Sequence, residues 1–247
     1  MPYLRSLFFI LCLGMNWGAL AQEKKVVTVG YLEFPPSTYT SRSGAARGTE
    51  IRLCRTLLSN AGYTAVFKAL PSARLYAQLI AGDIDLWIGT PNKPELQGHT
   101  LESNRIISEV TLAVFYRPQA QAPLLPDDLK NKQVIVIGGY SYWPPVSQWL
   151  TDPTLGLKQA RTSQHASAIE MLMRKRGDYL FDYVEPMLDT QKRLGVPAQN
   201  LPYIKVHSTP LSFIISKRSR YAEQLLADID RQFDLYNAAH LLPDDKQ

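Results

Sequence analysis

Two cysteines are all this chain contains, and the first, Cys12, sits inside an N-terminal segment that reads as an export signal. That leaves Cys54 alone, so an intramolecular disulfide framework is excluded and the core must come from size. Cys54 falls on the apolar phase of a helical pattern and reads as a buried small hydrophobe. Four histidines, His99, His165, His207 and His240, are dispersed without ligand spacing, which argues against a metal centre. Past the N-terminus no run is apolar enough to cross a bilayer. Charge of one sign is also scarce: 27 basic residues face 22 acidic ones, too small and scattered an excess for a nucleic-acid partner. There is no nucleophilic triad and no phosphate loop, and Gly138-Gly139 alone is not a nucleotide fingerprint, so no cofactor is expected.

What is present begins with the signal. Arg5 gives a positive start, Leu7 to Leu13 an apolar run, and Ala19-Leu20-Ala21 a small-x-small cleavage site, so cleavage after Ala21 into the periplasm is expected. The apolar stretch falls short of the roughly 20 residues of a spanning helix and is interrupted by Asn16. Leu11 before Cys12 does not fit a lipoprotein signal.

From Val26 onward short β-rich runs alternate with amphipathic stretches, the signature of βαβ units and a mainly parallel α/β sheet. Strand Val26–Val29 runs into Phe34-Pro35-Pro36, where proline fixes φ and removes a donor. A helix is predicted over Thr49–Ala61 with Ile51, Cys54, Leu57 and Leu58 on one face, closed by Gly62. Strand Thr64–Ala69, helix Ser72–Ile80 and a buried strand Ile84–Gly89 follow. The later part repeats the pattern less clearly: strand Glu109–Arg117, a linker Pro118–Pro126, strand Val134–Ile137, helices Trp143–Leu150 and Ala166–Arg174, and strand Tyr179–Phe181. Strand Leu211–Ser216 and a helix from Arg220 to about Tyr236 complete it. Gly82 and Gly177 are predicted to end helices in the left-handed conformation, with Asp85 and Asp178 opening the strands after them.

Several of these pieces, taken together, resemble the extracellular solute-binding family 3, the periplasmic binding proteins of polar amino-acid ABC transporters. They are Val27 to Pro36 with Ser37-Thr38-Tyr39, Gly48-Thr49-Glu50-Ile51, Ala81-Gly82-Asp83-Ile84-Asp85, Arg176-Gly177-Asp178, and Ser212 to Lys217 before the terminal helix. The resemblance implies a two-lobed type II periplasmic-binding-protein fold, each lobe a mostly parallel sheet flanked by helices, joined by a two-crossing hinge. Lobe 1 would hold residues 25–112 and 208–247, lobe 2 residues 117–203. A solute sits between them and favours the closed state by touching both.

It also implies site residues. Phe34 matches the aromatic ring the family places over its ligand, with Tyr39 in the same segment. The family's carboxylate-clamping arginine falls in Thr90-Pro91-Asn92-Lys93-Pro94-Glu95-Leu96, where Leu96 replaces it. Arg74 is the expected substitute cation and Thr90 an expected hydroxyl; the plainer reading of Arg74 is a surface residue. Tyr140 and Ser141 stand where a strand passes into a helix start, and with Tyr142 and Trp143 they suggest a wide aromatic cleft. In the second lobe the family uses an aspartate for the ligand's amino group, and either Asp182 or Tyr183 fits that place. Glu33, beside Phe34, is expected to be solvated.

The leading expectation is a monomeric binding protein that captures a small polar solute, an amino acid or related compound, and passes it to an ABC-transporter permease. The first alternative is an exported dehydratase-like enzyme on the same fold, its acid-base pair drawn from Glu50, Asp182 or Glu185. The second is a ligand-sensing partner of a membrane receptor.

Overall fold

The structure, a computed structural model, describes residues 25–195 and 201–241, so the expected export signal and its cleavage point lie outside the described residues. The chain begins with β1 (Lys25–Tyr31), a short hairpin of β2 (Tyr39–Thr40) and β3 (Ala46–Arg47), α1 (Thr49–Asn60), β4 (Tyr63–Ala69), α2 (Ser72–Ala81) and β5 (Leu86–Gly89). Next come β6 (Thr100–Glu102), β7 (Ser108–Phe115), β8 (Gln133–Ile137), α3 (Val146–Thr151), β9 (Lys158–Thr162), α4 (His165–Met173), β10 (Tyr179–Tyr183) and α5 (Val184–Leu194). The last elements are β11 (Tyr203–Ser216) and α6 (Ala222–Leu241).

Strand order is β4-β1-β5-β11-β7-β10-β8-β9, with β6 also beside β11. In the first half β1 runs parallel to β4 and β5, so Val27, Val29 and Tyr31 are covered on their faces. Helix α1 lays Ile51, Cys54, Leu57 and Leu58 against this sheet, and α2 adds Leu75 and Leu79. Each such side chain contributes about 1.5–3 kcal/mol by leaving water. In the second half β10 lies parallel to β8 and antiparallel to β7, with Leu180 and Phe181 fully buried. Strand β11 belongs to both halves. Its first part pairs with β7 and its last residues with β5 and β6.

Several predicted elements differ in extent. Strand β11 is 14 residues long, whereas the apolar pattern shows only Leu211–Ser216. Its first part is an edge, paired with β7 on one side, and there Lys205, His207 and Pro210 are tolerated because one face and one hydrogen-bonding side meet water. Helix α3 begins at Val146 rather than Trp143, since Pro144 and Pro145 disfavour helix for the residues before them. Helix α5 and strand β9 have no predicted counterpart. The first opens directly at the end of β10 with Pro186 inside its first turn, and the second is a polar, largely exposed edge.

The two helix-to-strand junctions share one device. Asp85 N–H donates to Thr28 O at 2.9 Å while its carboxylate accepts from Thr28 N–H at 2.8 Å. Asp178 does the same with Gln133, at 2.7 and 2.9 Å. The left-handed residue differs, and here the expectation for Gly177 is corrected. Gly82 takes φ +88°, but after α4 the positive φ of 58° falls on Lys175. Gly177 is required for space instead: a Cβ there would stand 2.5 Å from Ile135 Cγ1.

Candidate functional site

Phe34 is placed by a tight turn after β1. Its N–H donates to Thr38 O at 2.7 Å, and its carbonyl accepts from the N–H groups of Ser37 and Thr38, both at 3.0 Å. The ring projects over the gap between the two sheet halves, 5.3 Å from Tyr183 and 5.7 Å from Tyr140, centroid to centroid. Tyr140 and Tyr183 are themselves 5.8 Å apart, edge to face, a favoured arrangement for aromatic quadrupoles. Three rings from two halves thus form one wall.

Behind that wall is an open-mouthed cavity with about 550 Å³ of empty space, solvent at the mouth included. The first half contributes Phe34, Glu50, Tyr76, Trp87, Thr90 and Lys93; the second contributes Tyr140, Ser141, Trp143 and Tyr183. Trp87 lies back along its strand over Gly89, where a Cβ would come within 2.0 Å of the indole, so only glycine lets that ring fold flat here.

Two polar groups of the cavity, the Lys93 ammonium and the Trp143 indole N–H, can only donate, and the hydroxyls around them can donate or accept. Lys93 is only 7% exposed, with its ammonium 4.3 Å from the Trp143 ring centroid and 3.4 Å from Ser141 Oγ. Burial pushes its pKa down to about 8, with the charge of Glu95 pulling the other way, so it stays protonated at neutral pH. Among the described residues its ammonium makes no ion pair. Thr90 Oγ1 and Trp143 Nε1 are buried without a hydrogen-bond partner among the described residues. Tyr76, whose phenol burial raises to about 12, is neutral and meets Ser141 Oγ at 3.2 Å.

One acid lines the cavity. Glu50 accepts from Ser108 Oγ–H at 2.9 Å. Burial raises its pKa to about 7 against the hydrogen bonds of the Ser108 and Ser37 hydroxyls, with nearby Glu185 adding to the rise.

Of the residues the sequence singles out, Phe34, Thr90, Tyr140, Ser141 and Tyr183 meet at this cavity. Asp182 does not, which corrects its expected role. Strand alternation sends Tyr183 to the cleft and Asp182 to the opposite face of β10. There Asp182 is 0% exposed, held by His165 Nδ1 at 2.6 Å and by Tyr183 N–H at 2.7 Å. Burial pushes its carboxyl up against the pull of His165. Arg74 is also corrected: it is exposed on α2, outside the cavity wall. Tyr39 sits half-buried on β2 opposite Arg47, likewise outside that wall. Glu33 is exposed and turns back on Thr40.

Lys93 is the residue that the reading misses. It lies three positions before Leu96, itself a buried plug at 1% exposure. The signal was a basic residue between Pro91 and Pro94, with Asn92 at φ +59° turning the chain. Four hydrogen bonds then join the two sides of the cleft: Ser72 Oγ–H to Gly139 O at 2.9 Å, Tyr140 O–H to Glu33 O at 2.9 Å, the Tyr76–Ser141 contact, and Lys93 Nζ–H to Ser141 Oγ at 3.4 Å. On the outer side of Tyr140 a second, open groove runs past Pro71, His165 and Arg193.

The architecture defines the chain as a two-lobed periplasmic-binding-protein fold. It matches an ancestral arginine-binding protein bound to arginine, with a TM-score of 0.71, 21% identity, and coverage of 87% of this chain and 93% of that one. A histidine kinase sensor domain with similarity to periplasmic binding proteins gives 0.70 at 16% identity, covering 88% and 92%. A histidine-bound ABC uptake transporter substrate-binding protein from Streptococcus pneumoniae gives 0.68 at 17%, covering 86% and 87%. At these identities the likeness establishes the fold. A scan against protein-family models finds no match, and neither does a search of curated proteins.

Proposed function

We propose that this chain is an exported solute-binding protein. It captures a small solute, an amino acid or related compound, between a lobe of residues 25–112 and 208–247 and a lobe of residues 117–203, then delivers it as a monomer to an ABC transporter. The observation that carries this reading is the cavity between the two halves, where, among the described residues, Thr90 Oγ1 and Trp143 Nε1 have no hydrogen-bond partner and the Lys93 ammonium has one long hydrogen bond to Ser141 Oγ and no ion pair. Buried donors left unmet cost about 1–3 kcal/mol each, and a solute that meets them recovers that energy only when both halves close on it.

An enzymatic reading finds less support. Glu50 lines the cavity, Asp182 is sealed beneath β10, and Glu185 accepts from Thr111 N–H at 3.2 Å outside the lining, so only one of the three carboxyls faces the cavity where an acid-base pair needs two. Docking on a membrane receptor is a second reading, favoured by the likeness to a histidine kinase sensor domain. Co-purification with a permease rather than a receptor separates the two.

The test is a thermal-shift screen of amino acids, polyamines and small organic acids. A true ligand at about 100 times its Kd adds about 2.7 kcal/mol to stability. A screen in which no solute moves the melting temperature contradicts capture.

A further inference from the structure

We propose that the solute selected by this cleft is a small carboxylate with an apolar, ring-bearing body and no ammonium group, its carboxylate held by Lys93. This rests on the capture reading above and sharpens it.

The argument is a census of what the cavity offers. Lys93 brings a full positive charge with no carboxylate in ion-pair contact among the described residues. Around it stand a neutral phenol, Tyr76, and the hydroxyl of Ser141. Thr90 and Trp143, whose Oγ1 and Nε1 have no hydrogen-bond partner among the described residues, belong to the lining of the same cavity. An indole N–H only donates, and an ammonium only donates. Such a set accepts an anion with several lone pairs, which a carboxylate supplies.

An ammonium group finds no comparable place. Asp182 is spent on His165 and Tyr183 N–H, on the far side of its strand. Glu50 is the one carboxyl lining the cavity among the described residues; it accepts from Ser108 Oγ–H, and burial favours its neutral form, which offers an ammonium no counter-charge. Bringing in a second cation near Lys93 also adds like-charge repulsion in a dry site. Much of the remaining wall is the rings of Phe34, Tyr140, Tyr183 and Trp87 with Leu32, Ile88, Val110 and Leu211, and the Tyr140 and Tyr183 hydroxyls already donate to backbone carbonyls, which suits a planar apolar body.

The experiment uses one ring with three head groups: 3-phenylpropionate, L-phenylalanine and phenethylamine, titrated by calorimetry into the purified protein, with L-arginine alongside. The expected result is that 3-phenylpropionate binds at least about tenfold more tightly than L-phenylalanine, and that phenethylamine does not bind. Lys93→Met is expected to lower affinity for 3-phenylpropionate by about 100-fold. The same variant removes a buried charge, so its melting temperature without ligand is expected to hold or rise, and lost binding then does not reflect unfolding. Lys93→Arg, keeping the charge, is expected to retain part of the affinity.

Binding of L-phenylalanine as tight as that of the acid, any binding of phenethylamine, or an unchanged affinity in Lys93→Met overturns the proposal. Tight L-arginine binding with none of the acid overturns it while leaving solute capture standing. A protein that takes none of the four compounds, nor any solute of the wider screen, overturns both.

Discussion

The two halves of this molecule use the same joint and equip the cleft differently. Asp85 and Asp178 each tie the start of a buried strand to its parallel neighbour through paired hydrogen bonds with one backbone residue. What comes at the far end of those strands diverges. Strand β5 leads through Thr90 to Lys93 and so delivers a cation to the cavity, while β10 delivers Tyr183 and keeps its acid, Asp182, inside. The first half therefore supplies both charged groups of the cavity, Lys93 and Glu50, while rings come from both halves. An equivalent scaffold position is no guide to which side chain meets a ligand; strand phase and local partners decide that.

The strongest way to break this comparison is to remove the buried acid. Asp182→Ala leaves His165 Nδ1 and Tyr183 N–H without their partner, and is expected to destabilise the fold by about 3 kcal/mol. Affinity measured on the folded fraction should change little, because the carboxyl is not part of the cavity wall. A large drop in affinity with unchanged stability contradicts that assignment.

The cavity's two ionisable groups give the next largest effect. Glu50 has its pKa raised from 4.5 to about 7 in the folded state, so the folded protein holds more protons there and stability falls as pH rises from 4.5 to 7. Lys93 is lowered from 10.5 to about 8, so stability climbs again between pH 8 and 10.5. The contribution of these two groups to the stability of ligand-free protein should thus be smallest near pH 7 to 8, each wing amounting to at most about 3 kcal/mol. Chemical denaturation across pH checks this: Glu50→Gln should flatten the acid wing and Lys93→Met the alkaline one, and identical profiles for variant and parent contradict it.

Smaller effects sharpen the contrast between the joints. Gly177→Ala drives a methyl into Ile135 and is expected to cost about 2 kcal/mol. Lys175→Gly relieves a left-handed non-glycine residue and should stabilise by up to about 1 kcal/mol. Thermal melts of the pair, moving in opposite directions, are the check. Least of all, Arg74→Ala is expected to change neither stability nor affinity, as its side chain is exposed and outside the cavity wall.

Much of this was readable before the structure. The apolar faces of α1 and α2, the buried strand β5 and both Asp junctions follow from periodicity and turn chemistry. The polar part of β11 and strand β9 were not, because an edge exposed to water carries no alternation to read. Phe34 and Tyr183 were legible as rings near strand ends. Lys93 was not: its identity as a cavity group depends on Asn92 turning the chain back and on Trp143 arriving from the other half. Asp182 looked available only because its partner, His165, is far away in sequence and next to it in space.

Capture between two lobes is tested most directly by small-angle X-ray scattering with and without saturating 3-phenylpropionate. The account predicts that the radius of gyration falls on adding the acid to the parent protein, toward the conformation described here in which the Ser72–Gly139 and Tyr140–Glu33 bonds join the two sides of the cleft, and stays constant in Lys93→Met. A ligand that calorimetry shows to be bound, yet that leaves the scattering curve unchanged, contradicts it.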